Sequence, residues 1–431
     1  MTTAADTVLR GGRIIDRTGE RAADVLISGG RIVAVGESLD ADVVVDAGGC
    51  LVAPGLVDLH THLRQPGRED AETIESGSRA AALGGYTAIL AMPNTTPPID
   101  CAAVVREVLE LGRAAVCDVH TSGAITVGRA GEQLAPMAEM AALGVRIFTD
   151  DGTGVQDDRL MRRALEYASG LDVTLAQHCE VTSLSEGTCM HEGEWSSRLG
   201  LPGQPSEAEE LMVMRDIALA RLTGARVHFQ HMSTAGSVAM IAAAKAGGMS
   251  VTAEAAPHHF TLTDASCAGY DATFKVHPPL RTDHDVAAIV EGLASGVLDA
   301  IATDHAPHTP EDKERPFDHA PPGMLGLEYA LALAFTQLVD GGSGMTEADV
   351  LAAMSWKPAR IAGLEHHGGP LVEGAPANLC VIDPAARWTI DDSGGASRSR
   401  NVPYVGRSVR GKVRHTFLFG EQVVIDGEVQ R

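Results

Sequence analysis

The chain has 431 residues, 45% hydrophobic and 21% charged, as expected of a soluble globular enzyme with room for one large α/β unit plus a smaller module. Its formal charge of −23 excludes the basic footprint that a nucleic-acid binder needs. No window approaches the roughly 20 apolar residues that span a bilayer, no secretory signal is visible, and seven scattered cysteines without Cys-x-x-Cys spacing favour reduced thiols and a cytoplasmic location.

From residue 7 to 53 the sequence reads as short strands punctuated by Gly-Gly turns at 11–12, 29–30 and 48–49. Between Pro54 and about residue 365, apolar runs alternate with Ala-rich helical runs such as 75–83, 102–111, 133–143, 159–167, 207–221, 237–246 and 285–295. Eight strand candidates end near His62, Asn94, Ser122, Asp151, His178, His231, His258 and Asp304. The β texture resumes at 378–383, 413–419 and 422–426. The pattern predicts an α/β protein with a TIM-type (β/α)8 barrel over 55–365. A small composite β-sandwich domain is expected from 1–54 and 366–431.

Metal-binding residue types sit where those strands end, which is the catalytic face of such a barrel. His60 and His62 share a strand face, with Asp58 below them in the interior. His178 and His231 each end an apolar run, where a buried imidazole is costly unless bonded or metallated. Asp304 ends the eighth strand, and a carboxylate there can both ligate and move protons. At the fourth strand stands Phe148-Thr149-Asp150-Asp151-Gly152; alternation lets only one aspartate face the metals and does not choose between them. Beyond the histidine pair, Arg64 offers bidentate carboxylate recognition. Asn94 adds an amide and His308 an imidazole, and together they suit a small substrate with a carboxylate and a cyclic amide.

This series resembles the amidohydrolase superfamily across nearly the whole chain. Many binuclear members carry a carboxylated lysine at the fourth strand, but the five lysines here are 245, 275, 313, 357 and 412, all later in the chain. The motif Asp58-Leu59-His60-Thr61-His62-Leu63-Arg64-Gln65-Pro66-Gly67, with the aspartates at 150–151, is similar to the aspartate-bridged bacterial dihydroorotases. That resemblance chooses Asp151 over Asp150. It implies one or two zinc ions per subunit held by His60, His62, Asp151, His178, His231 and Asp304. It implies that Asp304 takes a proton and returns it to the departing ring nitrogen as dihydroorotate opens to N-carbamoyl-aspartate, the third step of pyrimidine synthesis. His62, Arg64, Asn94, His277, His308, Pro322 and Gly323 become the expected substrate contacts. Two positions depart from the family pattern: His277 stands for the usual Asn, and Pro322-Gly323 for Phe-Gly, where a backbone contact would survive although proline lacks an N–H. The resemblance further implies a homodimer and association with aspartate transcarbamoylase, neither of which has a signature in the sequence.

His258 is expected to be a hydrogen-bonded barrel histidine, and His120, His191, His228, His366, His367 and His415 structural or surface residues. Two rivals remain. Another cyclic amidase, such as a hydantoinase or allantoinase, is opposed by Arg64 and by the missing fourth-strand lysine. A non-catalytic scaffold subunit for aspartate transcarbamoylase is opposed by the intact set of six ligand candidates.

Overall fold

The computed structural model describes residues 6–391 and 395–430. Besides a short pair, Met190–His191 with Gly203–Gln204, the described middle of the chain holds eight strands: β1 (Leu56–Thr61), β2 (Tyr86–Ala91), β3 (Asp118–Thr121), β4 (Ile147–Phe148), β5 (Thr174–Gln177), β6 (Arg226–Phe229), β7 (Val251–Ala255) and β8 (Ala300–Ile301). They pair in parallel with their chain neighbours, as one sheet of β1–β3 and one of β4–β8. Isolated parallel bridges join Gly123 to Phe148 and Thr61 to His305, linking the edges of the two sheets.

Strands buried on both sides need apolar residues at nearly every position, and β1, β2, β5 and β7 are buried or almost so throughout. Helices between them are started by side-chain caps. Asp157 accepts from Leu160 N ahead of Asp158–Ala168, and Thr282 with Asp285 forms a capping box ahead of Asp283–Ala294. The helix expected over 133–143 shrinks to Met137–Ala141. Pro136 is the reason, because proline disfavours the helical conformation in the residue before it.

The strand ends also differ from expectation. His62 and His178 lie one residue past their strands, His231 two, and Asp151 and Asp304 three. These side chains therefore sit on the first residues of the connecting loops, released from strict alternation.

Segments from both ends of the chain form one seven-stranded sheet. Its order is Glu428–Val429, Glu421–Ile425, Ser408–Leu418, Leu379–Thr389, Leu51–Pro54, Arg13–Asp16, Gly19–Ala22. A four-stranded sheet of Thr7–Arg10, Asp24–Ser28, Arg31–Gly36 and Val43–Asp46 shares a core with it, in which Leu9, Val25, Ile27 and Ile32 meet Val52, Leu379, Val381 and Phe417. Leu51–Pro54 runs directly into β1, so this β unit is anchored where the first candidate ligands are delivered. Among the described residues no helix is long and apolar enough to cross a membrane.

Candidate metal centre

β1 carries His60 as its penultimate residue and His62 just beyond its end. Their Nε2 atoms converge on one carboxylate: His60 is 3.3 Å from Asp151 Oδ1 and His62 is 3.6 Å from Asp151 Oδ2. From the far side, His178 Nδ1 and His231 Nε2 stand 3.5 and 3.7 Å from Oδ1, and 3.0 Å from each other. Asp151 thus belongs to two triads, one with His60 and His62 and one with His178 and His231, each with its donor atoms within 4.8 Å of one another. Asp304 closes the first triad, with Oδ1 at 3.2 Å from His62 Nε2 and 3.6 Å from His60 Nε2. All six side chains are buried.

The donor set fits a divalent metal. Nitrogen and oxygen ligands about 2.0–2.2 Å from a tetrahedral ion stand roughly 3.3 Å apart, close to the separations observed. His60 Nε2 is buried and has no hydrogen-bond partner, although it is aimed into the cluster. Such an orphan is destabilising unless something engages its lone pair. Two of the six candidates adopt left-handed backbone, His231 with φ 35° and Asp304 with φ 47°, and Arg64 does so with φ 59°. Strain of this kind, on residues with side chains, collects at functional sites.

Burial and mutual attraction set the protonation of the cluster. Burial would raise Asp151 and Asp304, but the surrounding imidazoles hold both carboxyls below the usual range, Asp151 far below it. Burial opposes charge on His178 also, yet Asp151 and Glu180 bring it up to about 9. His62 goes the other way, lowered by burial and by Arg64 against the pull of Asp304 and Asp151. A metal ion would replace the shared protons, because ligating imidazole is neutral.

Several residues outside the series hold it in place. His60 Nδ1 donates to Glu254 Oε1 at 2.9 Å, and His228 Nε2 donates to Glu254 Oε2 at 3.0 Å. Asn94 Oδ1 accepts from His62 Nδ1 at 2.9 Å while its amide nitrogen donates to Asp151 Oδ2 at 3.1 Å. Asp150 turns away and accepts from the backbone N–H groups of Ile125 and Thr126 and from the Thr126 hydroxyl. Asp58, beneath the histidines, accepts from His60 N and Thr303 N, and burial pushes its carboxyl up to about 7. The buried Nε2 of His258 lacks a hydrogen-bond partner and lies 3.8 Å from Asp304 Oδ2. Glu254 was not singled out in the sequence, where its only mark is a carboxylate inside an apolar strand.

A cavity of about 150 Å³ opens over the cluster and is lined by His62, Arg64, Asn94, His277, His308, Pro322 and Gly323 together with Asp151 and Asp304. Arg64 Nε donates to the Pro307 carbonyl at 3.1 Å. His308 Nε2 donates to the Pro322 carbonyl at 2.8 Å, so it cannot also accept from Arg64 Nη2, 3.4 Å away. Among the described residues no carboxylate forms an ion pair with Arg64, a half-buried cation whose pKa falls only to about 10 through desolvation. His277 presents a buried Nε2 with no hydrogen-bond partner, and burial lowers it to about 4, so the ring is neutral at physiological pH.

Pro322 and Gly323 both line the cavity. Gly323 N–H donates to Lys275 O at 2.8 Å, and Pro322 has no N–H, so neither backbone nitrogen has a donor free in this arrangement. Position 323 needs glycine, with φ 139° and a Cβ that would come within 2.8 Å of His308 Nε2.

A family model described as Dihydro-orotase-like matches residues 49–237. The dihydroorotase of Streptomyces coelicolor is 50% identical over 386 residues, covering 89% of this chain and 90% of that protein. The dihydroorotase of Mycobacterium tuberculosis is 49% identical over 387 residues, with 89% and 90% covered. Among solved structures, the L-hydantoinase (dihydropyrimidinase) of Arthrobacter aurescens has a TM-score of 0.88 at 24% identity, covering 99% of this chain and 98% of its own, a likeness of fold alone. The dihydropyrimidinase of Brevibacillus agri has a TM-score of 0.85 at 25% identity, with 98% and 96% covered.

Proposed function

This chain belongs to the dihydroorotase family, and on that premise we propose that it catalyses the reversible hydrolysis of dihydroorotate to N-carbamoyl-aspartate. The observation that carries this reading is the placement of Arg64, Asn94 and His308 on the wall of the cavity that holds the His/Asp cluster. A half-buried guanidinium without a carboxylate partner matches a substrate that brings its own carboxylate. Hydantoin has none and would leave Arg64 uncompensated.

We read the parallel strands as a TIM-type barrel over 55–365 and the paired sheets as a β-sandwich domain from 1–54 and 366–431. The bridges between the strand edges and the core shared by the two sheets support this division. His60, His62, Asp151, His178, His231 and Asp304 would hold zinc, and the sharing of Asp151 between two triads supports two ions per subunit. When bound, zinc supplies Lewis acidity at the ring carbonyl and lowers the pKa of water.

The remaining steps fall to side chains. Arg64 anchors the substrate carboxylate and sets the ring over the cluster. His277, neutral, offers one nitrogen to the ring amide. Asp304 accepts the proton of the attacking water through a carboxylate oxygen and delivers it to the ring nitrogen as the C–N bond breaks. The reverse sequence closes the ring.

The direct test is the loss of ring-amide absorbance when the purified, zinc-replete protein alone meets dihydroorotate near pH 8. Turnover is expected. Absence of turnover with zinc bound, or faster hydrolysis of hydantoin, would overturn the reading.

A further inference from the structure

β3 begins with Asp118, and His120 shares its face by alternation. Val119 between them faces the helix Ala102–Gly112, where a Cβ on Gly112 would meet it at 2.9 Å. Asp118 and His120 therefore point to the inner side of the strands. There they line a cavity of about 660 Å³ whose wall includes Thr174 and Arg226, the first residues of β5 and β6. This is the end at which the strands start, opposite the cluster around Asp151. His367, from the segment that follows the helix Trp356–Ala362, comes down onto the pair.

His367 Nε2 lies 3.0 Å and His120 Nε2 3.2 Å from the same oxygen, Asp118 Oδ2. The three donor atoms fall within 4.8 Å of one another. We propose that Asp118, His120 and His367 form a separate binding site for one divalent transition-metal ion of the zinc, cobalt or nickel class.

A plain ion pair accounts for only part of this arrangement. The contact of His367 with Asp118 is a hydrogen bond, but His120 Nε2 is off the line of one, and that nitrogen is buried without a partner. The two separations from Asp118 Oδ2, 3.0 and 3.2 Å, lie just under the edge of a tetrahedral ligand set, roughly 3.3–3.6 Å, which a bound ion would open slightly. His367 Nδ1 is engaged by Thr87 Oγ1 at 3.0 Å, which fixes the ring and leaves Nε2 for the ion, the usual support of a ligating histidine. Two imidazoles select a transition ion over calcium or magnesium. The nearby Arg226 is neutralised by Asp172 at 2.8 Å. Bound metal would pin the segment carrying His367 across the base of the parallel strands.

The test counts zinc in the whole protein after dialysis into zinc and then into zinc-free buffer, beside His120→Ala. That side chain is 31% exposed, so its removal leaves no closed hole. The variant is expected to carry one equivalent less. Crystals of the unaltered protein should show anomalous density at the zinc edge about 2.1 Å from Asp118 and both Nε2 atoms, with the density around Asp151 as internal reference. Equal zinc contents, or no density beside Asp118 where the reference is occupied, overturns the proposal. Should His120→Ala fail to fold, the anomalous map decides alone.

Discussion

The bond between His60 and Glu254, 2.9 Å from Nδ1 to Oε1, turns the other ring nitrogen of His60 toward Asp151. Glu254 is itself spanned, since its second oxygen takes the Nε2–H of His228. Glutamine has one acceptor oxygen where glutamate has two, so Glu254→Gln must abandon one imidazole. Metal affinity should fall about 10- to 100-fold, the usual effect of removing such a partner. Competition with a chelator of known affinity measures this, and an unchanged affinity would remove Glu254 from the support of the site.

Asp304→Asn keeps the shape of the side chain and its contact with His62 but cannot take a proton. Turnover should drop roughly 10²- to 10⁴-fold, the range for a general acid–base group. Zinc must be counted in the same sample, because Asp304 also faces His60 and His62. A variant with full zinc and wild-type turnover would deny Asp304 its proton-transfer role.

Arg64→Lys retains the charge and loses the planar fork. Charge-assisted hydrogen bonds contribute about 1.5–3 kcal/mol, so kcat/KM for dihydroorotate should fall roughly 10- to 100-fold, mostly through KM. Steady-state kinetics with dihydroorotate checks it. A loss confined to kcat would mean that Arg64 acts on the reacting bond and not on the carboxylate.

Lys313 gives a pH signature. Its Nζ donates to the carbonyls of Pro321 and Gly323, both at 2.9 Å, and burial together with Lys275 lowers it from 10.5 to about 7. The folded state thus favours the neutral amine. Its contribution to stability is complete above pH 10.5 and is lost as pH falls toward 7. The Tm of the wild type should therefore rise relative to Lys313→Met between pH 7 and pH 10. A constant difference across that range would show that Lys313 stays charged in the folded protein.

Much of the site was legible because each candidate ligand follows an apolar run, and the six meet in space as that pattern implies. The choice between Asp150 and Asp151 was not legible from periodicity. β4 is only Ile147–Phe148, so both aspartates lie in the loop beyond it, where alternation has lapsed, and both are buried. Asp151 reaches the imidazoles and Asp150 caps backbone N–H groups, a division set by tertiary contacts. Glu254 was missed because it stands inside β7 and not at its end. His120 and His367 read as isolated residues because the fold, and not their local sequence, brings them to one oxygen. Both β-rich ends were visible, yet Leu51–Pro54 was not read as a strand. It pairs with Leu379–Ile382, more than three hundred positions away, and no local pattern reports such a partner.

That pairing has a consequence for synthesis on the ribosome. Leu51–Pro54 continues into β1, and its antiparallel neighbour, Leu379–Thr389, is in turn covered by Ser408–Leu418. A growing chain can form its helices and parallel strands as they emerge, but the sheet beneath the start of β1 has no second edge until nearly the whole chain has been made. During that interval one backbone edge of Leu51–Pro54 is unpaired, and the core around Val52 and Ile14 lacks Leu379, Val381 and Phe417. Ribosomes stalled before residue 379 should therefore carry chains whose Leu51–Pro54 segment is cut by protease, and ribosomes stalled well past residue 418 chains in which it is protected.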